Sequence, residues 1–288
     1  MGSTTTNKTS DDDKHMKKTL LIDTITKECA SSSHAILKQI NAAVNTSNND
    51  GSKLEATILS GGSTNYSYKV YVDKHPDLCI FAKLCFEYAM WNPDRSAHYD
   101  LQRTVNEYNI MLTSHKASPD SVVLPLAILD LKQGDQNMKC LVTEWSKADE
   151  QLCNQFIDGL VDHRIAPKLA TTFAKLHSIT SFDPSFNESV KPCMESMMHD
   201  LMKPAAVEAS KTTNPTDRSE AYCSSLGEKL ITKIMDECIS DYDNKGCLIH
   251  SDAHAFNTLV EAKPSIEHLE EFGQDGLVVL CDWEMAMA

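Results

Sequence analysis

The sequence has no apolar run near the length of a membrane span. A transmembrane helix needs roughly 20 consecutive apolar residues, and no stretch of the 288-residue chain approaches that. The sequence also has no Cys-x-x-Cys pair, although it has ten cysteines. Several of them lie within apolar runs, which favours reduced, buried thiols in a cytoplasmic protein over a zinc site or a disulfide framework.

Basic residues are scarce. The chain has 27 Lys and Arg against 41 Asp and Glu, a formal net charge of −14. Because nucleic-acid binding needs a basic surface, we expect no nucleic-acid partner. An acidic surface suits a cationic small molecule instead. The length fits one large domain or two small ones, and the 41% hydrophobic content can build a core. Nothing in the sequence indicates an oligomeric state.

The first residues carry little information about the fold. Residues 1–16 resemble a vector-derived expression tag with a protease-site remnant and are set aside. Residues 17–44 are predicted to form a leading segment that is helical from about Ser32, because Ile36, Leu37 and Ile40 give a short apolar stripe.

Alternating and apolar runs predict five antiparallel strands and one helix in the next part of the chain. The helix is expected over 98–112, and the strands over 56–59, 66–72, 78–86, 121–131 and 138–145. Pro125 predicts a bend or an edge position in the fourth strand.

A glycine-containing turn joins the first two strands. It includes Gly61, Gly62, Ser63 and Asn65. Glycine permits the close backbone approach by which successive N–H groups can cover a phosphate chain. Taken alone, a plain hairpin turn explains the same residues.

The third strand is apolar except for Lys83. An unpaired buried charge is costly, so a lysine there needs a partner or a ligand. One interpretation is a phosphate-binding lysine oriented by Glu107 on the helix; the other is a lysine that snorkels from an edge strand. After the fifth strand, Glu144 and Ser146 lie where the chain leaves the sheet, and their backbone groups could pair with an adenine edge.

The later part of the chain is predicted to be mostly helical. One helix opens at Pro167 and ends near His177, and a Met-rich helix over 194–209 is kinked or divided at Pro204. A long helix is expected over 219–239, with five apolar side chains facing inward: Tyr222, Leu226, Leu230, Ile234 and Cys238.

A polar loop between apolar strands carries His250, Asp252, His254 and Asn257, and a later strand ends at Asp282. The pattern H-x-D-x-x-x-x-N, followed by a strand that ends in Asp, is typical of phosphoryl transfer. Asp252 would take the proton of an accepting hydroxyl. Asn257 and Asp282 would bind Mg²⁺, which prefers oxygen ligands. Two His and a carboxylate could instead bind a transition metal.

These residues resemble those of the aminoglycoside phosphotransferase and choline kinase superfamily. The catalytic loop is similar to H-G-D-x-H-x-x-N, residues 279–284 to an I-D-W-E strand, residues 173–178 to L-A-x-L-H-S, and residues 60–65 to G-G-x-T-N. The resemblance implies an α+β, protein-kinase-like fold of two lobes, 17–145 and 146–288. It also implies ATP, Mg²⁺ and phosphorylation of a small-molecule hydroxyl. Members act on choline, ethanolamine, methylthioribose and aminoglycosides.

The chain departs from this pattern in three places. Ser251 replaces a Gly, Ala253 replaces a Leu, and the chain ends six residues after Asp282, where the family continues through further helices. The sequence therefore predicts a C-lobe that is truncated. The alternative function is an inactive nucleotide-binding module of the pseudokinase type.

Overall fold

The structure is a computed structural model of the chain. It describes residues 6–45, 51–59, 65–88, 100–148, 150–157, 165–179, 199, 202–216, 218–243, 250, 253, 255–261 and 278–283. The described residues divide between two compact units, which are treated separately. The first takes in Met1–Leu169 and His254–Cys281, and the second takes in Ala170–Ala253 and Asp282–Ala288.

The first unit is built around a five-stranded sheet in which every neighbouring pair is antiparallel. Its strands are β1 (Leu54–Ile58), β2 (Tyr66–Val72), β3 (His75–Phe86), β4 (Pro125–Gln133) and β5 (Gln136–Glu144), in the order β1-β2-β3-β5-β4. The predicted strands are confirmed, with shifts at their ends. β4 begins at Pro125 and has a register irregularity between Pro125 and Ala127, in agreement with the predicted bend. Gly134, at φ 59°, makes the tight β4–β5 turn possible.

Two helices cover one face of this sheet. They are α1 (Thr6–Ser31) and α2 (Ala35–Asn45). Leu21, Ile25, Leu37 and Ile40 are at most 1% exposed and share a core with alternate residues of the strands. Burying each of these side chains contributes about 1.5–3 kcal/mol, so the pair of helices is held by packing.

The prediction for the leading segment was incomplete. α2 agrees with the helix expected from about Ser32, but the residues before it are helical as well. Leu21, Ile25 and Cys29 follow one another at a spacing of four and are all buried, which is a helical stripe. Residues 32–34 form a short non-helical connection between the two helices. In it, the His34 N–H donates to Ser32 Oγ (3.2 Å).

A third helix, α3 (Gln102–Ala117), follows β3 and contacts β4 and β5. It ends five residues later than the predicted 98–112. Lys83 points to the face of β3 opposite to Ala82 and Leu84, which pack in the core with α1 and α2. Since Lys83 contacts Glu107 of α3, this helix lies on the other face of the sheet.

A second, three-stranded sheet completes the first unit. Its order is β6 (Glu150–Gln151), β7 (Thr258–Val260) and β8 (Val278–Leu280), all antiparallel. The short helix α4 (Leu152–Ile157) follows β6 and packs beside β7. The next helix, α5 (Ile165–His177), matches the one predicted to open near Pro167. β6 was not predicted, because two residues give no readable alternation.

The longer described stretches of the second unit are mostly helical. It has α6 (Lys203–Lys211), α7 (Arg218–Leu226) and α8 (Glu228–Asp243). The α6 helix has Pro204 in its first turn. Most of the predicted Met-rich segment before it lies outside the described residues, so its kink or division at Pro204 stays a prediction. The predicted α+β class, with an antiparallel sheet and helix first and a mostly helical part later, is confirmed.

The predicted single helix over 219–239 was wrong. Gly227 has φ 75°, in the left-handed region, and separates α7 from α8. Glycine reaches this conformation without the steric cost of a Cβ, so it ends α7. The inward face was also wrong for three residues, because Tyr222, Leu230 and Ile234 are 66%, 43% and 37% exposed. The Cys238 side chain lies outside the described residues.

No helix among the described residues combines the length and the hydrophobicity that crossing a membrane requires.

Candidate functional site

A buried ion pair joins β3 to α3. Lys83 Nζ lies 3.0 Å from Glu107 Oε1 and 3.2 Å from Glu107 Oε2, so it donates to both carboxylate oxygens. The two side chains are only 7% and 2% exposed. A charge this deep is tolerated when it is paired and hydrogen-bonded, and the pair holds the lysine head in one position.

The strand order settles how Lys83 is placed. β3 is the central strand, and Lys83 pairs with Ser67 on β2 and with Leu141 on β5. Snorkelling from an edge strand, one of the two interpretations of the sequence, is therefore wrong. Lys83 is instead a buried member of an ion pair in a central strand.

Asn65, at the end of the glycine-containing turn, is held by α3 as well. Its Oδ1 accepts a hydrogen bond from Arg103 Nη2 at 3.0 Å, and the residues are 6% and 5% exposed. Arg103 lies one helical turn before Glu107. Arg103 is not among the residues predicted from the sequence; only its i, i+4 spacing from Glu107 could have suggested it. Three other residues predicted for this turn, Gly61, Gly62 and Ser63, lie outside the described residues.

β5 ends at Glu144, the first of two predicted adenine contacts. The Glu144 N–H donates to Leu124 O (3.0 Å), and its carbonyl accepts from the Thr143 hydroxyl (2.8 Å). The Glu144 amide is thus engaged within the protein. The second predicted residue, Ser146, accepts the Ala148 N–H on its Oγ (3.1 Å).

Trp145 lies between these two residues and carries a cation–π contact. Lys69 Nζ lies 4.6 Å from the centroid of the Trp145 ring. Such contacts contribute about 0.5–1 kcal/mol at exposed positions, so this one ties the segment after β5 to β2.

Asn257 precedes β7 and is fixed through its backbone. Its carbonyl accepts the Cys281 N–H (3.0 Å), and the neighbouring Leu280 N–H donates to Ser121 O (2.9 Å). The end of β8 is thereby attached both to the turn before β7 and to the loop after α3.

Asp282 is the only non-glycine residue with a positive φ in the part of the chain that the structure describes (61°). A non-glycine residue in the left-handed region costs about 1–2 kcal/mol, although Asp and Asn tolerate it better than most. Strain of this kind is concentrated at functional positions. The observation therefore marks Asp282 as a candidate site residue.

In the second unit, His250 packs on Trp283. Their ring centroids are 4.4 Å apart, the planes are tilted by 55°, and the residues are 3% and 0% exposed. His250 comes two residues before Asp252, and Trp283 comes one residue after Asp282. A buried aromatic contact thus links the loop predicted to carry the base with the turn predicted to carry a metal ligand.

Asp252 and His254 lie outside the described residues. Their predicted roles therefore stay predictions, as does the transition-metal alternative that involves them. Within the described ranges, no group of three or more His, Cys, Asp and Glu side chains is placed to hold a metal ion.

Comparison with known proteins gave structural neighbours only. No family model matches the chain, and no curated protein matches it. Among solved structures, the chain is similar to small-molecule kinases and phosphotransferases. One is spectinomycin phosphotransferase APH(9)-Ia in complex with ADP and spectinomycin, at 15% identity and a TM-score of 0.44, covering 81% of this chain and 64% of that one. Another is a microcompartment-associated aminopropanol kinase, at 11% identity and a TM-score of 0.47, covering 88% of this chain and 69% of that one.

Proposed function

We propose that this chain is an ATP-dependent phosphotransferase that phosphorylates a hydroxyl group of a small molecule. The observation that carries the proposal is the buried Lys83–Glu107 pair in the central strand. Phosphoryl transfer needs little covalent work from the protein; it depends on positioning and on charge stabilisation. A lysine fixed by two hydrogen bonds supplies both.

The nucleotide would be held by the first unit. Lys83 would contact phosphate oxygens, with Glu107 orienting it, while Asn65 and the turn of Gly61, Gly62 and Ser63 would cover the phosphates. Glycines there would let backbone N–H groups approach closely. The segment of Glu144 and Ser146 would meet the adenine edge. Since the Glu144 N–H donates to Leu124, we assign the adenine contact to other backbone groups of that segment.

Magnesium would be bound by the remaining predicted residues. Asn257 and Asp282 offer an amide oxygen and a carboxylate oxygen, the hard ligands that Mg²⁺ prefers. The left-handed backbone of Asp282 is consistent with a constrained ligand. When bound, magnesium neutralises charge on the phosphates.

Asp252 would act on the acceptor. Its carboxylate would accept the proton of the substrate hydroxyl as that oxygen bonds to the γ-phosphorus, and the bond from that phosphorus to the β-phosphate oxygen would break, releasing ADP. His250, packed on Trp283, would keep the loop in position. The net charge of −14 favours cationic alcohols as acceptors.

The test is transfer of the terminal phosphate of ATP to a panel of small alcohols, both neutral and amine-bearing. We expect turnover with at least one cationic alcohol, and its loss in Asp252→Asn at unchanged melting temperature. Lys139→Met removes an ion pair with Asp130 in the five-stranded sheet. This variant serves as the control and should remain active. Full activity of the Asp252→Asn variant would show that Asp252 is not the catalytic base. Metal-dependent ATP binding without transfer to any acceptor would favour the inactive nucleotide-binding module.

A further inference from the structure

The contact between Lys69 and Trp145 crosses the central strand of the five-stranded sheet. Lys69 lies on β2 and Trp145 follows β5, and β3 lies between these two strands. Because neighbouring strands are about 4.8 Å apart, side chains from β2 and from the end of β5 meet across β3. The Lys69 ammonium lies 4.6 Å from the centroid of the Trp145 ring, so the two side chains form a bridge over that strand.

The bridge lies on the face of the sheet that carries Lys83. Lys69 pairs with Phe81 on β3, and cross-strand partners point to the same face. Phe81 precedes Lys83 by two residues, so these two side chains share that face as well. Lys69, Phe81 and Trp145 are half-buried. Solvent therefore reaches this part of the face, and a ligand that lies along β3 would meet the bridge.

The electrostatics of Cys79 agree with this position of the bridge. Burial raises the pKa of the Cys79 thiol, and the positive charge of Lys69 opposes the rise, as expected of an ammonium near the thiol. The register of β3 with β5 ends opposite Ile80, one residue before Trp145. The bridge is thus near the level of Cys79, which is four residues, or about 14 Å along the strand, from Lys83.

The bridge occupies the base end of the proposed nucleotide site. With the phosphates at Lys83, the segment after β5 that we assign to the base sets the direction of the nucleotide along β3, towards Phe81. A planar base placed there would meet the face of Trp145 that the ammonium covers. Base stacking on an aromatic ring corresponds to about a five- to hundredfold gain in affinity, against about two- to fivefold for an exposed cation–π contact. The base can therefore displace the ammonium.

We propose that the Lys69–Trp145 contact is a gate that a purine base must open in order to stack on Trp145. This inference rests on the proposed function and adds to it a residue, Lys69, that competes with the base. The gate lowers the affinity for ligands that carry a base. Ligands that consist of phosphates alone do not reach Trp145 and are not opposed by the gate.

The experiment compares the wild-type protein with Lys69→Met by calorimetric titration with adenosine, with tripolyphosphate and Mg²⁺, and with an ATP analogue and Mg²⁺. Adenosine is the decisive ligand, because it is neutral and the loss of a positive charge does not itself change its affinity. We expect Lys69→Met to bind adenosine about two- to fivefold more tightly and tripolyphosphate no more tightly. Lys139→Met, which removes another lysine of the same sheet, should bind adenosine as the wild type does.

Tryptophan fluorescence tests the gate in the wild-type protein itself. Adenosine should change the emission, because the base replaces the ammonium on the Trp145 ring. The matched variant is Trp145→Phe, which keeps an aromatic face for stacking. It should still bind adenosine, but without the change in emission.

Several results would overturn the gate while the ATP analogue still binds. They are an adenosine affinity of Lys69→Met equal to or weaker than that of the wild type, an equal gain for tripolyphosphate or in Lys139→Met, and an emission change that persists in Trp145→Phe. Adenosine binding by Lys69→Met alone, with none by the wild type, would support the gate. If neither protein binds adenosine or the ATP analogue, the proposed function fails, and the gate fails with it.

Discussion

Separating Lys83 from Glu107 should strongly destabilise the fold. In Glu107→Leu the ammonium of Lys83, 7% exposed in the native structure, loses its hydrogen bonds to the two Glu107 oxygens. Removing one partner of a buried ion pair typically costs about 3–5 kcal/mol, because the other charge stays buried without compensation. At about 2–4 °C per kcal/mol, the melting temperature should fall by about 10 °C.

The double variant Lys83→Met with Glu107→Leu separates this mechanism from simple loss of packing. Replacing both members of a buried pair by apolar residues of similar size is often neutral or stabilising, by about 1–4 kcal/mol. We therefore expect the double variant to recover most of the stability lost in Glu107→Leu. Urea unfolding at 25 °C gives the free energies directly, with the slope m as a check that the same surface is exposed.

The matched control is the ion pair of Lys139 with Asp130 on the neighbouring strands. Its atoms are 2.6 Å apart, but the Asp130 side chain is 84% exposed. Exposed pairs contribute about 0–1 kcal/mol, so Asp130→Asn should change stability by less than about 1 kcal/mol. If Glu107→Leu costs no more than this control, or if the double variant is less stable than Glu107→Leu, the account of a buried, mutually dependent pair is refuted.

Three further changes test other parts of the fold. Burial, with a smaller contribution from Glu28, raises the pKa of Cys29 from 9.0 to about 11. The thiol therefore contributes fully to the stability of the folded state below pH 9, and this contribution is lost as the pH rises towards about 11. Urea unfolding should show a shallower loss of stability over this pH range in Cys29→Ala. Gly227→Ala should lower the free energy of unfolding by about 1 kcal/mol or more, because φ is 75° although, among the described residues, no atom beyond the chain neighbours lies within 4 Å of the added Cβ. A change in the free energy of unfolding below about 0.1 kcal/mol, measured by urea unfolding, would contradict the backbone argument. Lys17→Met should lose about 1 kcal/mol, since the ammonium lies 4.9 Å from the centroid of Phe86, and a melting temperature equal to that of the wild type would show that only the apolar stem matters.

The sheet and the buried pair could be predicted because the sequence encodes them locally. Alternation fixes the strands, and an apolar strand interrupted by a single lysine demands a partner. The helix that follows this strand carries Glu107, which is a candidate for that partner. The structure confirms this pairing at 3.0 Å.

Arg103 could not be found in this way. An arginine on a helix is ordinarily solvated, and its contact with Asn65 depends on how α3 lies across the sheet. The left-handed backbone of Asp282 is equally hidden, because one-letter patterns carry no dihedral angle. Both features arise from tertiary packing.

The two errors in the helices have local causes. Leu21, Ile25 and Cys29 form a stripe that was overlooked because it adjoins residues set aside as a tag. Gly227 was read through as part of one helix, although glycine after an apolar periodic run is a helix-stop signal. With the helix ended there, α8 starts with a new phase, and Leu230 and Ile234 are left exposed.

The most direct test of the proposed function is the thermal melting of the protein with an ATP analogue, with and without Mg²⁺. A ligand that binds only the folded state stabilises it by about 2.7 kcal/mol at one hundred times its dissociation constant. We predict a rise in melting temperature that requires Mg²⁺ and is lost in Asp282→Asn, which keeps a side chain tolerant of the left-handed backbone. No rise in the wild-type protein, or an equal rise in Asp282→Asn, would contradict the claim that this chain binds a magnesium–nucleotide complex through Asp282.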